Sequence, residues 1–325
     1  MRRREFIVSL GGAATWPLMA RAQQAASRLT IGYLSGGTVA TTGPQIAAFA
    51  RRLSELGWVE GRDAVIERRL AEGHTERFAE LAAELVERNA DVIVTTGTPA
   101  TIAGKRLTTA IPIVFVGVGD PVGTGLVASL RRPGGNITGL SNQNRDAAGK
   151  RIELLRAVVP ELRRLAILAN ADSPAEMLEV HDIKGVAREL GLELSIPEVR
   201  HQQDITAAFA GLNDRTDALY VMFGGLEIAN QVEVNTRALQ ARLATMHGDR
   251  SLVETGGLMA YGPNNLDLHQ HAAELVAKIL RGTKPVDIPV EQPTKFELVI
   301  NLTTAKMLGL AIPAPLMSLA DELIE

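Results

Sequence analysis

An α/β fold of parallel sheets covered by helices on both faces is what this sequence predicts, and three observations predict it. Strand-like and helix-like runs alternate from residue 28 almost to the end. The alternation falls into two series of about four βα units each, meeting at 139–145 and sharing no detectable sequence repeat. The chain of 325 residues is 46% hydrophobic but only 4% aromatic, with 30 glycines, which suits closely packed helices on parallel sheets in two domains.

The elements follow in order. "RLTIGYLS" (28–35) reads as a strand, and 44–56 as a helix from Pro44 to a C-cap at Gly57. "AVIERRL" (64–70) is a strand, and 75–88 a helix with Thr75 as N-cap. "DVIVTTG" (91–97) is a buried strand before a helix that opens at Pro99. "IPIVFVGVG" (111–119) is the fourth strand. A helix is expected from about Val122, stopping before Arg131, with a short strand at 136–141. The second series predicts helix 146–158, strand 164–170, helix 174–190 and strand 192–199. Helix 202–212, strand 218–224 and helix 226–243 come next. Short strands at 244–249 and 258–263, helix 265–281 and a tail containing "FELVINL" (296–302) complete it.

The opening "MRRREFIVSLGGAATWPLMARAQQ" has a cationic start, an apolar stretch too short to span a bilayer and an Ala20-Arg21-Ala22 site, the pattern of an export signal at 1–22. Arg3-Arg4-Glu5-Phe6-Ile7 resembles a twin-arginine signal. Cleavage after Ala22 would remove Arg2, Arg3, Arg4, Arg21 and Glu5 and move the net charge from −3 to −6. The absence of cysteine excludes disulfides, thiolate metal sites and a lipidated cysteine, so a free periplasmic protein is expected. Without a basic run beyond the first residues, nucleic acid is not an expected partner.

In open parallel sheets, ligands bind beyond the carboxyl ends of the strands, where helix N–H groups point outward. The loops there, at 35–43, 96–100, 119–125, 170–174, 224–227 and 247–251, are small and polar. Gly117, Gly119 and Gly123 miss the dinucleotide fingerprint by one residue and follow the fourth strand, while "GTPATIAGKR" (97–106) fails as a P-loop in spacing and at Arg106. No G-x-S-x-G occurs. His269 and His271 fall on different helix faces and read as surface residues, and His74, His181 and His201 stand alone. His247, beside Asp249 and Ser251, reads as a polar rim residue before a catalytic base. No catalytic constellation, metal site or cofactor is expected. What remains is a cleft for a small polar solute. A carboxylate would match the N–H groups at 98–100 or 121–122, and an ammonium Asp120, Asp172 or Asp249, all of which are also helix N-cap candidates.

Several stretches resemble a known family: "LSELGWVEGRDAVIERRLAEG" (53–73), "ADVIVTTGTPAT" (90–101), "IPIVFVGVGDPVGTGLVASLRRPGGNITG" (111–139), "GGLMAYGPN" (256–264) and "PVEQPTKFELVINLTTAKMLGLAIP" (289–313). Together they are similar to the ABC-transporter solute-binding proteins of the tryptophan/tyrosine type. That resemblance implies a type I periplasmic binding protein fold, two doubly wound parallel-sheet lobes joined by a multi-strand hinge. It implies capture of a solute, often an aromatic amino acid, and delivery to an inner-membrane ABC permease. Carried over, Ser35, Gly36, Thr96, Thr98, Pro99, Asp120 and Pro121 would line the first lobe. Asn170, Asp172, Gly224, Gly225 and His247 would line the second, where "FGGLEIANQ" (223–231) and "TMHGDR" (245–250) depart from the family pattern. Tyr33, Phe115, Phe223 and Tyr261 are candidates to stack on an aromatic ligand, with Phe115 read first as core.

The expected division is an N-terminal lobe of 29–141 plus about 263–290, a C-terminal lobe of 142–262, and a tail, 291–325, crossing or packing at the hinge. Crossings near 139–145 and 260–265 would place Gly139 and Gly262 at the hinge. A monomer is expected. Two other readings share the architecture: an exported hydrolase using His247 and Asp249, and a ligand-sensing subunit for a membrane receptor.

Overall fold

The computed structural model describes residues 28–212 and 216–325, so the expected export signal lies outside the described residues. The chain opens with β1 (Leu29–Ser35), α1 (Val39–Glu55), β2 (Ala64–Leu70), α2 (Phe78–Glu87), β3 (Val92–Thr96), α3 (Thr98–Leu107), β4 (Ile113–Val118) and β5 (Ile137–Ser141). These strands form one parallel sheet in the order β2-β1-β3-β4-β5. Its central strands, "VIVTT" and "IVFVGV", are almost wholly buried, as unbroken β-branched runs covered on both faces should be.

The chain then crosses at Asn142–Gln143 to α4 (Asn144–Val158), β6 (Arg164–Asn170), α5 (Pro174–Leu190), β7 (Glu193–Ser195), β8 (Glu198–Val199) and α6 (Gln202–Gly211). It continues through β9 (Ala218–Val221), α7 (Gly225–Ala229), α8 (Gln231–Gln240), β10 (Ala244–His247), α9 (Arg250–Glu254) and β11 (Met259–Pro263). Asn264 carries it back to α10 (Asn265–Leu280), which buries Leu268, Ala272, Leu275, Val276 and Ile279 among Ile46, Phe49 and Leu53 of α1. That helical spacing is why α10 joins the first lobe although it follows the second in sequence. After Glu291, bridged to Leu140 at the edge of β5, the chain crosses a third time to β12 (Phe296–Asn301), α11 (Leu302–Leu308), α12 (Ala314–Leu319) and β13 (Glu322–Ile324). The second sheet runs β13-β12-β11-β10-β9-β6-β7, with β8 also on β6.

Several expectations need correction. No helix forms from Val122. Asp120 accepts the Gly123 N–H at 2.7 Å, Gly125 sits at φ +70°, and the Leu126 and Val127 N–H groups both reach the Pro121 carbonyl, so the segment folds into turns. The first helix starts at Val39 because Thr38 and Thr41 form a capping box ahead of Pro44. The strand at 192–199 breaks into β7 and β8 around Ile196-Pro197, and the helix at 226–243 breaks at Asn230. The sheets are not wholly parallel: β12 pairs antiparallel with β11 and makes the tail part of the second sheet.

The two hinge glycines are also corrected. Gly139 pairs with Phe115 and Gly262 with Glu297 inside their sheets. A Cβ on either would collide with backbone, the Phe115 carbonyl oxygen in one case and that of Gly248 in the other. These glycines admit a close backbone approach, and residues fixed in a ladder cannot absorb the dihedral change of a hinge. The links between sheets are Asn142–Gln143, Asn264 and 292–295.

Candidate functional site

The strand ends of the two sheets face each other across a cleft enclosing about 910 Å³, its open mouth included. On the first lobe it is lined by the loops after β1, β3 and β4. The Ser35 hydroxyl accepts from Thr96 Oγ1 at 2.9 Å and from the Gly37 N–H at 3.3 Å, which ties the first two loops together. Gly97, at φ +76°, gives α3 no side-chain cap, so N–H groups of its first turn are left without a capping partner beside Thr98 and Pro99. Gln45, Phe78 and, from α10, Asn265 and His269 complete this side.

The second lobe contributes Asn142 and Asn144, Asn170 at the end of β6, Ser173, Ala175, Glu176 and Glu179 of α5, and Phe223, Gly224, Gly225 and Ile228. Asn142 donates to the Gly117 carbonyl at 2.9 Å, linking the lobes at the first crossing. Behind this wall lies Arg151, 1% exposed. It donates to Glu179 at 3.0 Å, the Tyr220 hydroxyl at 2.9 Å, the Asn144 side chain at 2.9 Å and the Tyr261 carbonyl at 2.6 Å. A buried charge with this many partners acts as a strut for the wall.

The lobes are closed on each other. A Cβ built on Gly36 would stand 2.9 Å from the Gly225 Cα, one on Gly73 would stand 3.0 Å from the Ala229 Cβ, and one on Gly119 3.2 Å from the Ala175 Cβ. Outside the cleft, Arg145 at the start of α4 pairs with Asp120 of the first lobe while binding Asp182 of its own at 2.6 Å.

Of the sequence-derived candidates, Ser35, Gly36, Thr96, Thr98, Pro99, Asn170, Phe223, Gly224 and Gly225 line this cleft. The others lie elsewhere. Asp120 and Pro121 line a separate outer groove with Arg145 and Asp182. Asp172 pairs with Arg200 at the surface. Asp249 caps α9 through the Ser251 N–H at 2.9 Å, as its helix-start position allows. His247 is not a rim residue. It is fully buried, and desolvation, with Arg151 nearby, lowers its pKa to about 3. Tyr261 stacks on Phe296 at 5.5 Å, and Tyr33 and Phe115 are core. His269, read as a surface residue, is 3% exposed. Its Nδ1 donates to the Asn265 carbonyl at 2.7 Å, its Nε2 has no partner, and burial lowers its pKa to about 4.

Sequence reasoning missed Gln45, Phe78, Asn142, Asn144, Glu176 and Glu179. All sit within helices or at a lobe crossing, where nothing in the local pattern distinguishes a cleft-facing position. The cleft's inventory of hydroxyls, amides, free N–H groups, two aromatic rings and two carboxylates provides for holding a polar solute.

Comparison with known proteins agrees with this geometry. The model of the family described as ABC transporter substrate binding protein matches residues 45–324. A tyrosine-binding protein of Clostridioides difficile (strain R20291) is 26% identical over 262 residues, 81% of this chain and 75% of that protein. A conserved domain protein from Vibrio cholerae superposes with a TM-score of 0.84 at 25% identity, over 92% of this chain and 99% of its own. An ABC domain from Streptococcus pneumonia in complex with L-Trp gives the same TM-score and identity, over 92% of this chain and 100% of its own. Two lobes closing on a cleft of non-reacting polar groups, and a match to the family along almost the whole described chain, lead to one conclusion: this protein belongs to the ABC transporter substrate binding protein family.

Proposed function

We propose that the protein is the exported solute-binding component of an ABC importer, taking up an amino acid in the periplasm and presenting it to an inner-membrane permease. The observation that carries this reading is the closed interlobe cleft, in which unpartnered helix N–H groups on one lobe face carboxylates on the other. The α-carboxylate would sit against the first turn of α3, near Thr98 and Ala100. The side chain would lie between Phe78 and Phe223, where an aromatic ring gains most. A tyrosine-binding relative and an L-Trp-bound neighbour support that choice.

Capture would proceed by hinge closure. Residues 29–141 with 263–290 would swing against 142–262 with the tail, bending at Asn142–Gln143, Asn264 and 292–295. Only contacts better made in the closed form drive such a shift, and residues from both lobes line the cleft. No helix among the described residues is long and apolar enough to cross a membrane.

Thermal shift and titration calorimetry against the standard amino acids test the reading, with tyrosine and tryptophan expected to raise the melting temperature most. Small-angle scattering should show contraction on binding. Failure of every amino acid to bind, or tight binding with unchanged dimensions, overturns it.

A further inference from the structure

Two carboxylates have no positive partner, one in the cleft wall and one buried directly behind Gly224. Glu227, in the first turn of α7, is 1% exposed, and neither of its oxygens has a hydrogen-bond partner. Glu176, in the first turn of α5, is 6% exposed and lines the cleft, where it accepts the Asn170 N–H at 2.7 Å. Both reach the space that the missing side chain of Gly224 leaves open. A Cβ there would stand 2.6 Å from Glu227 Oε2 and closer still to Glu176 Oε1. Glycine at 224 thus holds a small cradle with an acidic floor, opening on the cleft.

The surroundings supply no cation. On α5, Glu179 faces the pair, but Arg151 of α4 and the Tyr220 hydroxyl of β9 hold it at 3.0 and 2.6 Å, so the arginine is already engaged. His247 of β10 is neutral. From the first lobe, Gly36, Gly37, Thr75 and Phe78 carry no charge. Two carboxylates in such a place keep their protons while the cleft is empty. Desolvation pushes Glu176 up to about 8, with Glu179 adding to the effect, and holds Glu227 well above the carboxylate range, with Glu176 adding to it.

We propose that Glu176 and Glu227 are the receptor for a primary ammonium group on the solute, seated beside Gly224, and that its binding drives one proton out of the pair. The inference rests on the solute-binding reading above and deepens it. The proton passes from one carboxylic acid to the buffer, and the carboxylate left behind pairs with the ammonium. Because the proton and the ammonium compete, affinity falls by about tenfold for each pH unit below the pair's titration range.

Titration calorimetry at pH 7 in phosphate and in imidazole, two buffers of different ionisation enthalpy and neither a primary ammonium, counts the protons released. The probes are L-tyrosine and L-tryptophan, their decarboxylated amines tyramine and tryptamine, and the deaminated acids 3-(4-hydroxyphenyl)propanoate and indole-3-propanoate. An ammonium-bearing probe should release close to one proton, and its deaminated counterpart should bind roughly 100-fold more weakly or not at all, as expected when buried polar groups lose their partner. The Glu176→Gln/Glu227→Gln double variant should lose both the proton release and the preference for the amino compound, while melting no lower than the parent. Amino acids that bind without proton release, and equally well to the double variant, overturn this inference and leave the amino-acid reading standing. Amines that bind with proton release when no amino acid does have the opposite effect. Preference for the deaminated acids, or no binding by any ammonium-bearing probe, overturns the inference.

Discussion

The two walls of the cleft differ in kind. The first lobe offers hydroxyls, backbone N–H groups and an imidazole that burial keeps neutral, and none of its cleft residues carries a charge. The second offers Asn142, Asn144 and Asn170 together with Glu176 and Glu179, so the ionisable oxygens lie on one side. A zwitterion, the proposed solute, would therefore meet unlike hosts at its two ends. In the proposed binding mode the first lobe would take the anion without a counter-charge, through partial charges on α3, and the second would take the cation. Such an asymmetry orients a small molecule before any side-chain pocket discriminates.

The largest test of this contrast is in the second wall. Replacing Arg151 with methionine should leave Glu179 buried beside Glu176 without its cation, a loss of about 3–5 kcal/mol in urea denaturation, because an unpaired buried charge costs more than the pair contributes. No single change among the first-lobe cleft residues should cost as much.

Each lobe also buries one histidine, His247 of β10 in the second and His269 of α10 in the first. Both have pKa values lowered by burial, so the unfolded chain binds protons that the folded one refuses. Stability should be full above about pH 6.5 and fall as the pH drops, by up to about 1.4 kcal/mol per unit for each histidine. The loss should level off near 4 for His269 and near 3 for His247. Glu176 works in the other direction. Its raised pKa adds no penalty below the unfolded value and a growing one as the pH climbs toward 8, so Glu176→Gln should flatten the alkaline decline in denaturation midpoints.

Gly225→Val sharpens the comparison at the point where the walls touch. The new side chain meets the Gly36 backbone only when the lobes are shut. Overpacking of about 1–3 kcal/mol, felt in that form alone, should weaken solute binding by roughly 5- to 150-fold and leave the melting of the ligand-free protein unchanged. The smallest effect belongs to the outer latch. Asp120→Asn removes a half-buried ion pair between lobes, worth no more than about 1 kcal/mol, and should cost a few-fold in affinity that high salt abolishes in the parent.

The same asymmetry governed what the sequence disclosed. First-lobe residues were legible because Ser35-Gly36 and Thr96 to Pro99 sit directly after strongly apolar strands, where chain direction alone puts them at the binding edge. Asn170 and Gly224 were found by the same rule. Glu176 and Glu227 were not, since a glutamate in the first turn of a helix reads as a favourable dipole partner on the surface. Asp120, Asp172 and Asp249 were over-read for the matching reason: an acid at the start of a turn or helix is satisfied locally, by Gly123, Arg200 and Ser251, or drawn into a pair with Arg145. The run at 122–130 failed as a helix because its glycines and the Asp120 turn outweigh its apolar content. His247 and His269 show that a histidine in a polar-looking string can be buried, the first under the turn at Gly257 and the second on α10 against Tyr33.

The path of the backbone carries a consequence for anyone who would dissect the molecule. Because α10 returns to the first sheet between β11 and β12 of the second, neither half is a contiguous stretch of the gene. A truncation after β11 would strip one half of a packing helix and the other of its border strands together. The halves must therefore be inherited, expressed and engineered as a unit, and any attempt to exchange one of them between relatives has to cut the chain at three places.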